Sequence, residues 1–233
     1  MALLHRLRNM AAYSSFARLK AAFGLLSDDE RHRWIETINA PKPSRISLEN
    51  VYPWYAFGAI DYIGELINRN MEVLEFGGGY STLYWASRVR HVSTIERSQN
   101  WCREIGSALC RHNLNNVNLI CFDKFQFLGG EVLNEDKSAE LEPLVREYIY
   151  SANVMANSLD VVVIDDVFRN AVTRQSLQFV KPGGIIILDD SEIEEYRTTV
   201  DMLNGLKYSS ASFYGAAPFH FHEKQTSIWI KSA

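Results

Sequence analysis

The chain has 233 residues, of which 47% are hydrophobic and 22% charged, with a formal net charge of −4. That length holds one domain with a sizeable core, and the composition excludes a disordered or fibrous chain. The acidic balance argues against a nucleic-acid backbone as partner, and no apolar run approaches the roughly eighteen residues of a membrane span.

Residues 1–27 carry Arg6, Arg8, Arg18 and Lys20 without an acid, with Leu3, Leu7 and Met10 at helical spacing. This reads as a helix covering the substrate side of the domain; organelle import or membrane-surface association is the alternative. Ser27-Asp28-Asp29-Glu30 has the spacing of a capping box and predicts a helix to about Ala40, ahead of Pro41 and Pro43. Residues 1–50 therefore form an N-terminal helical arm or lid, and residues 51–233 the main domain.

From Pro53 the pattern alternates. Helix Trp54–Asn68 precedes strand Glu72–Phe76, helix Ser81–Val89, strand His91–Ile95, helix Gln99–Asn113 and strand Val117–Phe122. After a polar segment come helix Leu141–Ala156, strand Val161–Ile164, helix Phe168–Val180 and strand Gly184–Leu188. Such alternation implies a parallel sheet with helices on both faces. Helix Ile193–Leu203 is followed by Tyr208–Tyr214 and Thr226–Ile230, two strands with no helix between them. The expected fold is thus Rossmann-like α/β, a mostly parallel seven-stranded sheet ending in an antiparallel hairpin. Cys102, Cys110 and Cys121 form no C-x-x-C pair; neither a disulfide framework nor a zinc site is suggested, and a reducing, cytoplasmic setting fits.

The strongest motif runs Glu75-Phe76-Gly77-Gly78-Gly79-Tyr80-Ser81-Thr82, where an apolar strand enters consecutive glycines and then a helix. Glycines let the backbone turn sharply and bring its N–H groups against a ligand. A dinucleotide loop places a third glycine where Thr82 stands. Glu75 would repel a diphosphate but suit the ammonium and sulfonium of S-adenosylmethionine. Glu96 closes the second strand, where an acid reaches ribose hydroxyls, and Asp123 follows the third strand, where the adenine amino group could be met. Leu159–Ile164 then delivers Asp165 and Asp166, and Ile185–Leu188 delivers Asp189 and Asp190, all at the carboxyl edge of the sheet.

Together with the Lys181-Pro182-Gly183-Gly184 turn, these motifs resemble class I S-adenosylmethionine-dependent methyltransferases over residues 51–231. Pro53-Trp54, Arg169 after Ile-Asp-Asp, and Gly215, Pro218 and Thr226-Ser227-Ile228 are similar to a bacterial-type group of undefined substrate. The resemblance implies methyl transfer, with Glu75, Gly77, Gly78, Gly79, Ser81, Thr82, Glu96, Asp123 and Asp165 around the cofactor. The acceptor is expected to be a hydroxyl of a small molecule or glycan, and Asp165 or Asp166 the candidate base or a buttress for it. Trp54, Tyr55 and Tyr80 could flank the acceptor.

Asp165, Asp189 and Asp190 also fall where cation-dependent O-methyltransferases hold Mg²⁺. That family's Asn is Asp190 here and its lysine is Phe168, so no metal is assigned and Mg²⁺ is not favoured. His220 and His222 lack a third ligand and read as loop histidines, either of which could serve as a base. A non-catalytic S-adenosylmethionine-binding protein and a nicotinamide-dependent oxidoreductase are the rival readings, with an aminopropyltransferase behind both.

Overall fold

The computed structural model describes residues 26–38, 46–128, 139–220 and 222–232. The expected helix within residues 1–25 and most of the polar segment after Leu128 lie outside them. The capping box forms: the Glu30 amide donates to the Ser27 hydroxyl at 3.2 Å, and the Ser27 amide donates to the Glu30 carboxylate at 2.9 Å. Helix α1 follows over Asp28–Ile38. It is fastened to the domain by Arg33, which pairs with Asp61 at 2.7 Å and lies 4.7 Å above the Phe57 ring.

Five strands and their crossovers come next. They are β1 (Glu72–Phe76), β2 (His91–Glu96), β3 (Val117–Cys121), β4 (Leu159–Ile164) and β5 (Val180–Asp189). Helix α2 (Phe57–Leu66) precedes β1; α3 (Tyr80–Ala86), α4 (Gln99–Arg111), α5 (Glu142–Tyr150) and α6 (Arg169–Ser176) connect the strands. Helix α7 (Arg197–Gly205) leads to β6 (Ser209–Gly215) and β7 (Lys224–Ile230). The order across the sheet is β3-β2-β1-β4-β5-β7-β6. The first five strands are mutually parallel, and β7 runs antiparallel to both β5 and β6. This is the mixed sheet with a closing hairpin that the alternation implies.

Side-chain period explains the two-sided core. On β5, Ile185 and Ile187 join Val73, Val92 and Val161 on one face, under α2, α3 and α4. Ile186 and Leu188 join Leu74, Phe76 and Val162 on the other, under α5, α6 and α7. Every residue of β4 is buried, as befits a central strand covered on both faces.

Several boundaries differ from expectation, and one difference matters for the site. Helix α2 begins at Phe57 rather than Trp54, because the Ala56 amide is bound by the Thr226 hydroxyl of β7 at 3.0 Å. The segment before α2 is thereby kept out of the helix, and its Trp54 lines a cavity. The helix expected over Leu141–Ala156 ends at Tyr150, and Asn153 and Asn157 turn the chain with positive φ.

The cysteine reading is also corrected. Cys102, at the start of α4, and Cys121, at the end of β3, form a disulfide with Cα atoms 6.0 Å apart. Their separation of 19 residues gives no local signal; α4 folds back onto β3 and brings them together. A reducing compartment can no longer be read from cysteine usage. Among the described residues, no helix is long and apolar enough to cross a membrane.

Candidate functional site

In this strand order the chain leaves β1 for β2 on one side and reaches β4 on the other, a topological switch point where open α/β sheets bind ligands. A cavity of about 330 Å³ opens there. Gly77, Gly78 and Gly79 form its floor, with Ser81 at the start of α3. Gly77 has φ +87°, and a Cβ there would lie 2.3 Å from the Asp165 carbonyl. No side chain fits between the tips of β1 and β4. A Cβ on Gly79 would meet nothing within 4 Å, so this glycine faces open space.

The acids hold the loop in an ordered way. Glu96 accepts the Gly78 amide at 2.8 Å on one oxygen and the Ser98 amide at 2.6 Å on the other. Its carboxyl lines the cavity and is pushed up to about 7, by burial first and then by Asp166. Glu75 is not a cavity residue: it is fully buried behind the loop. It accepts the hydroxyls of Thr82 at 2.6 Å and Thr94 at 2.8 Å, and Thr82 in turn accepts the Gly79 amide at 3.1 Å. Glu75 and Thr82 therefore brace the loop rather than touch its contents. Asp123 is likewise outside the cavity lining and accepts from the Gln99 amide at 3.2 Å.

Burial also pushes the Glu75 carboxyl up to about 7, outweighing the hydroxyls that favour its charged form. The native state then keeps a proton that the unfolded chain loses, so this residue's contribution to stability falls as pH rises from 4.5 to about 7. Urea unfolding of Glu75→Gln is expected to show a gain over wild type that grows across that window. A gain independent of pH would mean that Glu75 titrates as it does in the unfolded chain.

At the other side of the switch point, three carboxylates converge on two cations. Arg169 pairs with Asp165 and Asp190 at 3.0 Å each and donates to the Asp189 carbonyl. Lys224 reaches Asp189 and Asp190 at 2.5 Å each, and the Thr226 hydroxyl donates to Asp189 at 2.6 Å. Asp165, Asp189 and Asp190 offer oxygens within 4.8 Å of one another, the geometry of a possible metal cluster. Here Lys224 and Arg169 supply the positive charge that a divalent ion would bring. Burial would raise Asp190, but Arg169 and Lys224 prevail and hold it below the ordinary carboxylate range. Asp165 is pushed well up by burial and by Asp189. Phe168, next to Arg169 in sequence, and Asp190, itself part of the network, both have left-handed backbones, at φ +55° and +52°.

Of the two candidate bases, Asp166 is fully engaged. It accepts from Arg97 at 2.7 Å and from the Tyr148 hydroxyl at 2.8 Å, which makes it a buttress. Asp165 keeps one oxygen outside its ion pair and lines the cavity.

Sequence reasoning missed four cavity residues: Lys224, Trp101, Ser98 and Arg97. Lys224 was readable, because it alternates with Thr226 and Ile228 on the buried face of β7 once that strand is started two residues earlier. His220, read as a loop residue, also lines the cavity, while Tyr55 is wholly buried beneath it.

No protein-family model matches the chain, and a search of the curated proteins found no match. Solved structures do match. An O-methyltransferase from Bacillus cereus in complex with SAH superposes with a TM-score of 0.50 at 20% identity, over 70% of this chain and 74% of that one. A SAM-dependent O-methyltransferase from Thermotoga maritima gives 0.52 at 12% identity, over 81% and 72%. Precorrin 8W decarboxylase from Methanobacterium thermoautotrophicum gives 0.51 at 19% identity, over 83% and 99%. Identities this low speak for the fold and not for a shared activity. By its strand order, its glycine turn at the switch point and these superpositions, the chain has the fold of the class I S-adenosylmethionine-dependent methyltransferases.

Proposed function

We propose that this protein transfers a methyl group from S-adenosylmethionine to a hydroxyl of a small molecule or glycan. The observation that carries the reading is the set of charged groups lining the cavity. Each cation lining it, Arg97, Arg169 and Lys224, is already in an ion pair with a carboxylate. A dinucleotide diphosphate would meet acids there with no unpaired cation among the described residues to neutralise it. Ribose hydroxyls and an ammonium are hydrogen-bond donors, and they suit Glu96 and Asp165.

In this reading Gly78 and Gly79 admit the cofactor close to the backbone, Glu96 holds the ribose and Asp165 meets the methionine ammonium. The bound cofactor supplies an already activated methyl group. The protein's own part is to align the acceptor oxygen, exclude water and accept a proton. Lys224 and Arg169 make the cation-free form the working one.

The test is transfer of isotope-labelled methyl from S-adenosylmethionine to a panel of hydroxylated acceptors, run with Mg²⁺ and with EDTA. Equal label in both is expected. Label that appears only with Mg²⁺ would overturn the cation-free reading. Tight cofactor binding without transfer to any acceptor would favour a non-catalytic binding protein.

A further inference from the structure

We propose, building on the methyltransferase reading, that the acceptor is an aryl hydroxyl whose ring lies against Trp54 and whose proton is accepted by His220 Nε2. The room for it comes from the sheet. From β2, which carries Glu96, to β7, which begins at Lys224, the edge crosses four strand spacings, roughly 19 Å. The cofactor residues Glu96, Gly78 and Asp165 belong to the β2, β1 and β4 part of that edge. The part above β5 and β7 is left for a second molecule, and His220, four residues before Lys224 at the start of β7, lines the cavity with it.

The wall here is aromatic. Trp54 is 36% exposed, and the rings of Tyr80, Trp101, Phe219 and His220 surround it at centroid distances of 5.3 to 6.3 Å. Trp54, Tyr80, Trp101 and His220 all line the cavity. A flat apolar ring that adds to this cluster in offset or edge-to-face contact gains what the existing rings gain from one another.

One polar atom in that wall lacks a partner. His220 Nε2 is buried and makes no hydrogen bond, a condition that carries a cost until a donor arrives. The backbone that carries the ring is held in place. The His220 carbonyl accepts the Trp34 indole N–H at 2.9 Å, and the Phe219 amide donates to the Thr37 hydroxyl at 3.4 Å, both from α1. Burial first, then Lys224 and His222, push the imidazole down to about 4 against a smaller upward pull from Asp190. It is therefore uncharged at neutral pH and free to accept a hydroxyl proton.

The chemistry balances. The aryl oxygen forms a bond to the methyl carbon as the carbon–sulfur bond breaks, its electron pair staying on sulfur to leave a thioether. The hydroxyl proton grows acidic as the new bond forms, and it passes to His220 Nε2, which even a weakly basic imidazole can hold at that stage.

The test needs no knowledge of the natural acceptor. Quenching of tryptophan fluorescence is measured in the SAH complex at about pH 6, where a phenol is neutral. The probes are 3-nitrophenol and its hydroxyl-free counterpart nitrobenzene. Both are expected to bind saturably, with 3-nitrophenol about fivefold tighter. Trp54→Ala should weaken both by about tenfold. His220→Phe should erase the preference for the hydroxyl while His220→Gln keeps part of it, and SAH affinity should stay within about threefold throughout. Absence of saturable quenching, a preference that survives His220→Phe, or competition by methyl glucopyranoside but not by nitrobenzene would each overturn the proposal. Failure of SAH itself to bind would instead sink the cofactor reading on which it rests.

Discussion

Lys224→Ala is expected to destabilise the protein by about 3–5 kcal/mol, the cost of leaving buried carboxylates without their cation. Lys224 is 2% exposed and Asp189 wholly buried, so water cannot take over the role of the ammonium. Burial alone would lower the Lys224 pKa, yet Asp189, Asp165 and Asp190 together raise it, which marks the ion pairs as the stronger influence. Urea unfolding measures the loss. Adding Asp189→Asn should recover part of it, since the double variant removes both members of the pair. A loss below about 1 kcal/mol would mean that the pair is solvated, and the case for two fixed cations in place of a metal would fail.

The second large effect is on affinity. Glu96→Ala should weaken S-adenosylmethionine binding by about tenfold or more, equivalent to about 1.4 kcal/mol. The side chain is both a wall of the cavity and the anchor of two backbone amides, Gly78 and Ser98, so its loss removes a ribose acceptor and loosens the loop. Asp123→Ala is the matched control. Its carboxylate lies outside the cavity and meets only Gln99 in the described hydrogen-bond network, so binding should change by less than about threefold. Equal losses in the two variants would return Asp123 to the adenine site and unseat the present assignment.

Local rules carried the fold a long way. Strand and helix periods, the Ser27 capping box and the glycine turn between β1 and α3 depend on residues near in sequence, and each forms as its pattern implies. The site was legible where one strand delivers its own acid, as with Glu96, Asp165, Asp189 and Asp190. It was illegible where a side chain's direction depends on distant partners. Glu75 stands near the end of a strand like the others, but it is the penultimate residue of β1, and there, opposite Thr94, it lies in the core. His220 and Lys224 enter the cavity only because β7 inserts between β5 and β6. Cys102 and Cys121 meet for the same kind of reason, a helix returning to a neighbouring strand. The resemblance to methyltransferases drew attention to the glycine loop, which lines the cavity, and could not show that Arg169 and Lys224 occupy the acids behind it.

Calorimetric titration of the wild-type protein with S-adenosylmethionine, and separately with NADH, tests the central claim most directly. Saturable binding of S-adenosylmethionine in the micromolar range with no response to NADH is the result the cavity's acids and paired cations predict. Saturable NADH binding by folded protein that ignores S-adenosylmethionine would contradict it and turn the site over to hydride chemistry.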